Sequence, residues 1–136
     1  MFLYFVDSDD CLFDNTLSTL LGYAKNDVDM VIAGWEEYDG DTGELKYKVD
    51  NRKVSLLSKD QAISCMLTST DYYYQGYLWT KLFRRSIVNQ YHLSFNTNYA
   101  FNEDRLFIIS YLNYIKGHVI YTLEPVYKYC RQECSA

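Results

Sequence analysis

The chain has 136 residues, of which 49% are hydrophobic and 23% charged, and its net charge is -5. That length fits one domain and that composition affords a core, which excludes a disordered chain. The acidic balance gives no support to nucleic-acid binding, which wants a basic face, and no run approaches the roughly 20 apolar residues of a membrane span.

In chain order, Met1 to Val6 predicts a buried strand that runs into Asp7-Ser8-Asp9-Asp10. Asp10 or Asp14 can cap a following helix with an apolar stripe of Leu12, Leu17, Leu20 and Leu21, ending near Gly22 to Asn26. Met30 to Trp35 predicts a second strand continuing toward Tyr38, then a turn over Asp39 to Gly43 and a return strand over Leu45 to Val49. The Asp39 to Glu44 turn lacks the glycine and the final Glu of a calcium loop, so a hairpin is the better reading. Ser58-Lys59-Asp60-Gln61 has the form of a capping box opening a helix through Met66. Thr68 to Gln75 reads as a polar, aromatic loop. Leu78 to Phe83 is extended and Arg84 to Gln90 a short helix. Asn102 is the expected cap of a helix over Glu103 to Ile115, with Leu106, Phe107, Ile109, Leu112 and Ile115 inward. Gly117 ends it. Val119 to Leu123 and Val126 to Tyr129 are expected strands flanking Pro125. The order is mixed α and β.

The acidic strand end is the first chemical signal. Three carboxylates within four positions repel one another unless a cation or a donor array neutralises them, and a single helix cap needs only one side-chain oxygen. Hard oxygen donors at the end of a strand suit Mg²⁺ or Mn²⁺ shared with a phosphorylated substrate. The second signal is Asn102-Glu103-Asp104-Arg105 at a predicted helix start. Carboxylates there complement the helix dipole, and the rigid mount also suits a general base. The third is Trp79-Thr80-Lys81-Leu82-Phe83-Arg84-Arg85, aromatic and basic, readable as the wall of a sugar or phosphate site. Tyr72 to Tyr74 with Tyr77 and Trp79 concentrate aromatic rings, which suit carbohydrate stacking as well as plain packing. Arg131 reads as a surface charge. Cys11, Cys65, Cys130 and Cys134 are scattered without a zinc-ligand spacing, so reduced thiols and a cytoplasmic chain, soluble or peripheral at the inner face of the membrane, are expected.

These motifs, in this order, resemble the family 2 glycosyltransferases of GT-A fold, in particular bacterial enzymes of cell-surface polysaccharide synthesis. The resemblance rests on Phe5-Val6-Asp7-Ser8-Asp9-Asp10, similar to that family's DxD motif, and on Trp79 to Ser86, Asn102 to Phe107 and Pro125 to Tyr129. It implies an α/β, partial GT-A (nucleotide-diphospho-sugar transferase-like) fold with a mixed sheet and flanking helices, residues 1–136 forming one C-terminal part of a transferase domain. It implies inverting transfer of a sugar from a nucleotide-diphosphate donor to a hydroxyl of a glycan or lipid-linked acceptor. By the same resemblance Asp9 and Asp7 hold Mg²⁺ or Mn²⁺, Asp7 lies against the ribose or the metal's water, Asp104 is the general base with Glu103 beside it, and Asp10, Trp79 and Lys81 contact substrate.

Family members begin with a nucleotide-binding half of about 80–100 residues ahead of the DxD strand, and the sequence here has none of it. An isolated chain that binds nucleotide sugars poorly, lacks activity and self-associates, through the free edge of its first strand or an aromatic patch built from Tyr72 to Trp79, is therefore expected. A second reading is an inactive remnant serving as a binding or oligomerisation module. A third is a haloacid-dehalogenase-type phosphatase, with Asp7 as phosphoryl acceptor and Asp9 as acid. There Asp10 and Cys11 stand where that family has Gly-Thr.

Overall fold

The computed structural model describes residues 1–48, 53–68, 76–96, 98 and 101–131. Its elements are β1 (Phe2–Tyr4), β2 (Cys11–Leu12), α1 (Thr16–Tyr23), β3 (Val28–Asp39), β4 (Leu45–Tyr47), β5 (Val54–Leu57), α2 (Lys59–Thr68), a 3-10 turn (Leu78–Thr80), β6 (Lys81–Arg84), α3 (Arg85–Gln90), α4 (Glu103–Tyr114) and β7 (His118–Arg131). The sheet runs β1-β6-β3-β7-β2, with β4 on the far end of β3 and β5 on β7.

β3 is the centre of the fold because Val28 to Trp35 is buried without interruption. That pattern marks a strand covered on both faces. It pairs with β7 in parallel and with β6 antiparallel, so the sheet is mixed. Mixed α/β order with flanking helices is thus what the sequence predicts. The register between β3 and β7 shifts at Gly34. A Cβ at Gly34 would stand 2.3 Å from the Leu123 carbonyl oxygen, so only glycine allows β7 to pass this closely. Beyond that irregularity, β3 and β7 continue side by side as Trp35 to Asp39 against Tyr127 to Arg131. These two strand ends build the site described below.

Several local expectations differ from what is found. Met1 to Val6 is not a buried strand. Only Phe2–Tyr4 is extended, half-buried, with β6 as its strand partner among the described residues. The two strands expected around Pro125 are one strand, β7, because Pro125 falls at the register shift opposite Gly34, where a missing N–H costs no ladder bond. β5 is absent from the prediction: Val54 to Leu57 alternates exposed and half-buried residues on a sheet edge. Asn102 does not cap α4 with its side chain. It sits at φ 65° in the left-handed region. α4 turns Phe107, Ile108, Tyr111 and Leu112 inward, while Leu106 is 40% exposed. On α1 the cap position is Asn15, and Leu17 and Leu21 point outward. The capping box is found: Gln61 N–H donates to Ser58 Oγ and Ser58 N–H to Gln61 Oε1. The Thr68 to Gln75 loop and the run Tyr72 to Tyr74 lie almost wholly outside the described residues, as does Cys134.

Candidate functional site

The chain beyond β1 turns from Asp7 to Asp10, closed by a hydrogen bond from Asp10 N–H to the Asp7 carbonyl. One phenol holds this loop. The Tyr127 hydroxyl accepts from Asp7 N–H at 3.0 Å and donates to Asp10 Oδ2 at 2.8 Å. Asp10 Oδ1 accepts from Cys130 N–H at 2.8 Å. Both Asp10 oxygens are therefore engaged with β7, and the role visible for Asp10 is to pin the loop. Asp7 and Asp9 are the remaining carboxylates. Burial, then Asp10 and Asp9, raise the Asp7 carboxyl above its ordinary pKa.

The end of β1 also fixes the loop against α4. Phe5 packs edge-on against Phe83, Phe95 and Phe107, at ring distances of 5.7, 5.8 and 6.0 Å. Phe107 lies one turn along α4 from Asp104, so this aromatic contact brings the acidic loop toward the helix start. Asp104 and Asp7 accordingly feel one another's charge. The Asp104 carboxyl is raised by burial, then by Glu103 and Asp7, and lowered by Lys81.

Lys81 is fully buried. Its Nζ donates to the Tyr77 carbonyl at 2.7 Å and to Thr80 Oγ1 at 3.0 Å, so it braces the wall from behind. Burial pushes its ammonium down to about 7, with Asp104 opposing. Trp79 is the hub of an aromatic stack with Tyr77 at 4.8 Å, Tyr127 at 4.5 Å and Tyr129 at 5.7 Å, and it meets Trp35 edge-on at 5.6 Å.

Two clefts share this wall. The larger, about 610 Å³, is lined by Asp7, Trp35, Glu37, Tyr47, Tyr77, Trp79, Tyr129 and Arg131. The smaller, about 330 Å³, is lined by Gly76, Tyr77, Asn102, Glu103, Asp104 and Arg105. Tyr77 belongs to both. Gly76 lies against the start of α4, where a Cβ would stand 2.8 Å from the Arg105 Cβ. The structure thus gathers Asp7 and Trp79 in one cleft and Glu103 and Asp104 in its neighbour, with Lys81 behind. Arg131 is a rim charge, ion-paired to Glu37 at 3.2 Å.

Sequence reasoning missed Trp35, Glu37, Tyr47 and Tyr129. The signal was present in part, since Trp35/Glu37 and Tyr129/Arg131 are spaced two apart on expected strands and so share a face. Which strand stood beside which was not available.

No three His, Cys, Asp or Glu side chains gather as a metal-holding group among the described residues. With Asp10 engaged, Asp7 and Asp9 supply two hard oxygen donors. That set cannot cage a cation alone, but it suits Mg²⁺ or Mn²⁺ completed by water and phosphate oxygens. Among the described residues no helix is long and apolar enough to cross a membrane.

No protein-family model matches the chain. Among curated proteins it is similar to EpsH of Bacillus subtilis (strain 168), whose name assigns it provisionally to the glycosyltransferases, at 26% identity over 130 residues, 94% of this chain and 37% of that protein. Among solved structures it is similar to S. aureus TarS 1-349, with a TM-score of 0.68 and 17% identity over 95% of this chain and 35% of that one. The crystal structure of the same protein in complex with UDP gives 0.68 and 15% over 96% and 36%. The chain spans little more than a third of the length of the proteins it matches.

Proposed function

Proceeding from a chain that carries the mixed α/β fold of part of the glycosyltransferase TarS, we propose that it is the acceptor-side portion of an inverting glycosyltransferase. The reaction moves a sugar from a nucleotide-diphosphate donor to an acceptor hydroxyl, in the assembly of cell-surface polysaccharide. The observation that carries this reading is the meeting of two carboxylate groups from opposite ends of the chain. Asp7 stands on the wall of an aromatic cleft, and Asp104 stands in the adjoining cleft within reach of its charge. The complex of TarS with UDP supports a uridine-diphosphate donor for a chain of the same fold.

Asp9 and Asp7 would hold Mg²⁺ or Mn²⁺, which when bound neutralises the leaving diphosphate. Tyr127 keeps the loop carrying them in place through Asp7 N–H and the Asp10 carboxylate. Asp104 takes the proton of the acceptor hydroxyl as that oxygen attacks the anomeric carbon. Its raised basicity fits it for this, because a base near the working pH accepts a proton more readily than an ordinary carboxylate. Burial first, then Glu103 beside it and Asp7, raise its pKa, and buried Lys81 opposes them. Inversion follows from a single displacement with base and leaving group on opposite faces of the sugar.

Within the complete transferase, Asp9→Asn is expected to abolish Mn²⁺-dependent transfer from UDP- or GDP-sugars, measured as nucleotide diphosphate released on acceptor addition. Metal-dependent turnover retained in that variant would refute the assignment. Association between copies would run through β1, which among the described residues is an edge strand of the sheet. Sedimentation should then show a mass that rises with concentration, and a monomer throughout would count against it.

A further inference from the structure

The larger cleft goes further than a generic acceptor site, because its lining selects among acceptor chemistries. We infer that it binds an uncharged pyranoside by stacking one C–H face of the sugar on the rings around Tyr47 and Tyr77. This rests on the transferase reading only in calling that sugar the acceptor.

The rings differ in what they can offer. Trp35 and Trp79 are each 7% exposed and form the floor. Tyr47, on β4, is 40% exposed and leans over that floor, with its ring 5.6 Å from Trp35 at 45°. The tilt makes an aromatic corner rather than a filled stack, and a corner of this kind receives a flat apolar face. The volume falls within the about 300–1,000 Å³ of small-molecule sites.

The polar groups lie around that corner. Glu37 offers a carboxylate acceptor suited to sugar hydroxyls, Arg131 is bound to it, and Asp7 lines the same cleft. The charged lining comprises two carboxylates and one guanidinium, so it is net negative. Among the described lining residues the guanidinium is already paired to Glu37, so in the metal-free chain a phosphate- or carboxylate-bearing acceptor meets net negative charge, and that repulsion discriminates against anions. Hydroxyls suffer no such penalty. The corner also depends on the fold: Tyr47 arrives on the β3–β4 hairpin, with Glu37 paired to Tyr47, while Tyr129 is brought opposite Glu37 by β7.

The chain has two tryptophans, Trp35 and Trp79, and both line this cleft. Tryptophan emission of the 136-residue chain therefore reports on it directly. Titration with cellobiose and lactose should give a saturable emission change, and glycerol 3-phosphate should give none. Tyr47→Ala, at a position exposed enough to leave the core intact, should weaken saccharide binding at least tenfold. Glu37→Gln should weaken it less and, by releasing Arg131 from its ion pair, should admit glycerol 3-phosphate where the wild type does not. The inference falls if neither disaccharide gives a saturable change, if Tyr47→Ala binds like the wild type, or if glycerol 3-phosphate binds as tightly as the sugars. Transfer assayed in the complete enzyme beside saccharide binding separates this claim from the transferase reading. Binding without any transfer in the complete enzyme counts against the transferase and leaves the cleft standing. Transfer without cleft binding counts against the cleft alone.

Discussion

Asp104→Asn is expected to lower sugar transfer by the complete enzyme about 10²–10⁴-fold, the usual worth of a positioned general base. The substitution is nearly isosteric and keeps a polar residue in the first turn of α4, so helix and fold should survive. Binding of the nucleotide diphosphate should stay close to wild type, because Asp104 lies in the cleft beside Asn102 and Arg105 rather than on the Asp7 loop. The loss should therefore appear in kcat and not in donor affinity. The wild-type pH profile carries a second signature. Burial, Glu103 and Asp7 raise the Asp104 carboxyl. A base must be ionised to act, so activity should fall on the acid side at a pH above the ordinary carboxylate range of about 4. Lys81→Met removes a positive charge that lowers the Asp104 pKa and should move that acid limb higher still. A near-normal Asp104→Asn beside a dead Glu103→Gln would exchange the two roles.

Asp29→Ala is expected to destabilise the fold by about 3–5 kcal/mol, the cost of removing one partner from a buried charge pair. Asp29 is 8% exposed at the start of the central strand. Its Oδ1 receives Arg84 Nε at 2.9 Å, and its Oδ2 receives the backbone N–H groups of Lys116 and Gly117 at 3.0 and 2.7 Å. One carboxylate thus ties β3, the end of β6 and the corner between α4 and β7. Tyr111 adds a second tie, donating to the Asp29 carbonyl at 2.5 Å and accepting from Arg84 N–H at 2.8 Å. Alanine would leave a guanidinium and two amides short of their acceptor. Urea unfolding should show a lower midpoint at an unchanged slope. A loss below about 1 kcal/mol would mean that water replaces the carboxylate at that corner.

The importance of Asp29 was hidden in the sequence, where it reads only as a polar residue before an apolar run. Asp10 shows the same limit in the other direction. The sequence offers Asp7, Asp9 and Asp10 as equal carboxylates. Tyr127, far along the chain, distinguishes Asp10 by taking up one of its oxygens while Cys130 N–H takes the other. Lys81, expected from the sequence as a substrate contact in an aromatic and basic stretch, is fully buried behind the wall. For Asp29 and Asp10, hydrogen-bond partners distant in sequence decide these roles, and for Lys81 it is burial by the packed core.

What the sequence determined by itself is what local chemistry and periodicity control. The buried run of β3 follows from the apolar stretch that begins at Met30, the start of α2 from the Ser58–Gln61 capping box, and the acidic loop from carboxylates placed after an aromatic strand. The order of motifs was enough to point to a glycosyltransferase-like fold. The tertiary structure alone decided which residues share a cleft. Gly34 lets β7 pass close to β3, the strand ends beyond it align Trp35 and Glu37 with Tyr127 and Tyr129, and the Phe5–Phe107 contact draws the acidic loop toward Asp104. Those are contacts between residues far apart in the chain. They are fixed by strand order and register, which depend on how the whole core packs rather than on any segment's own preference.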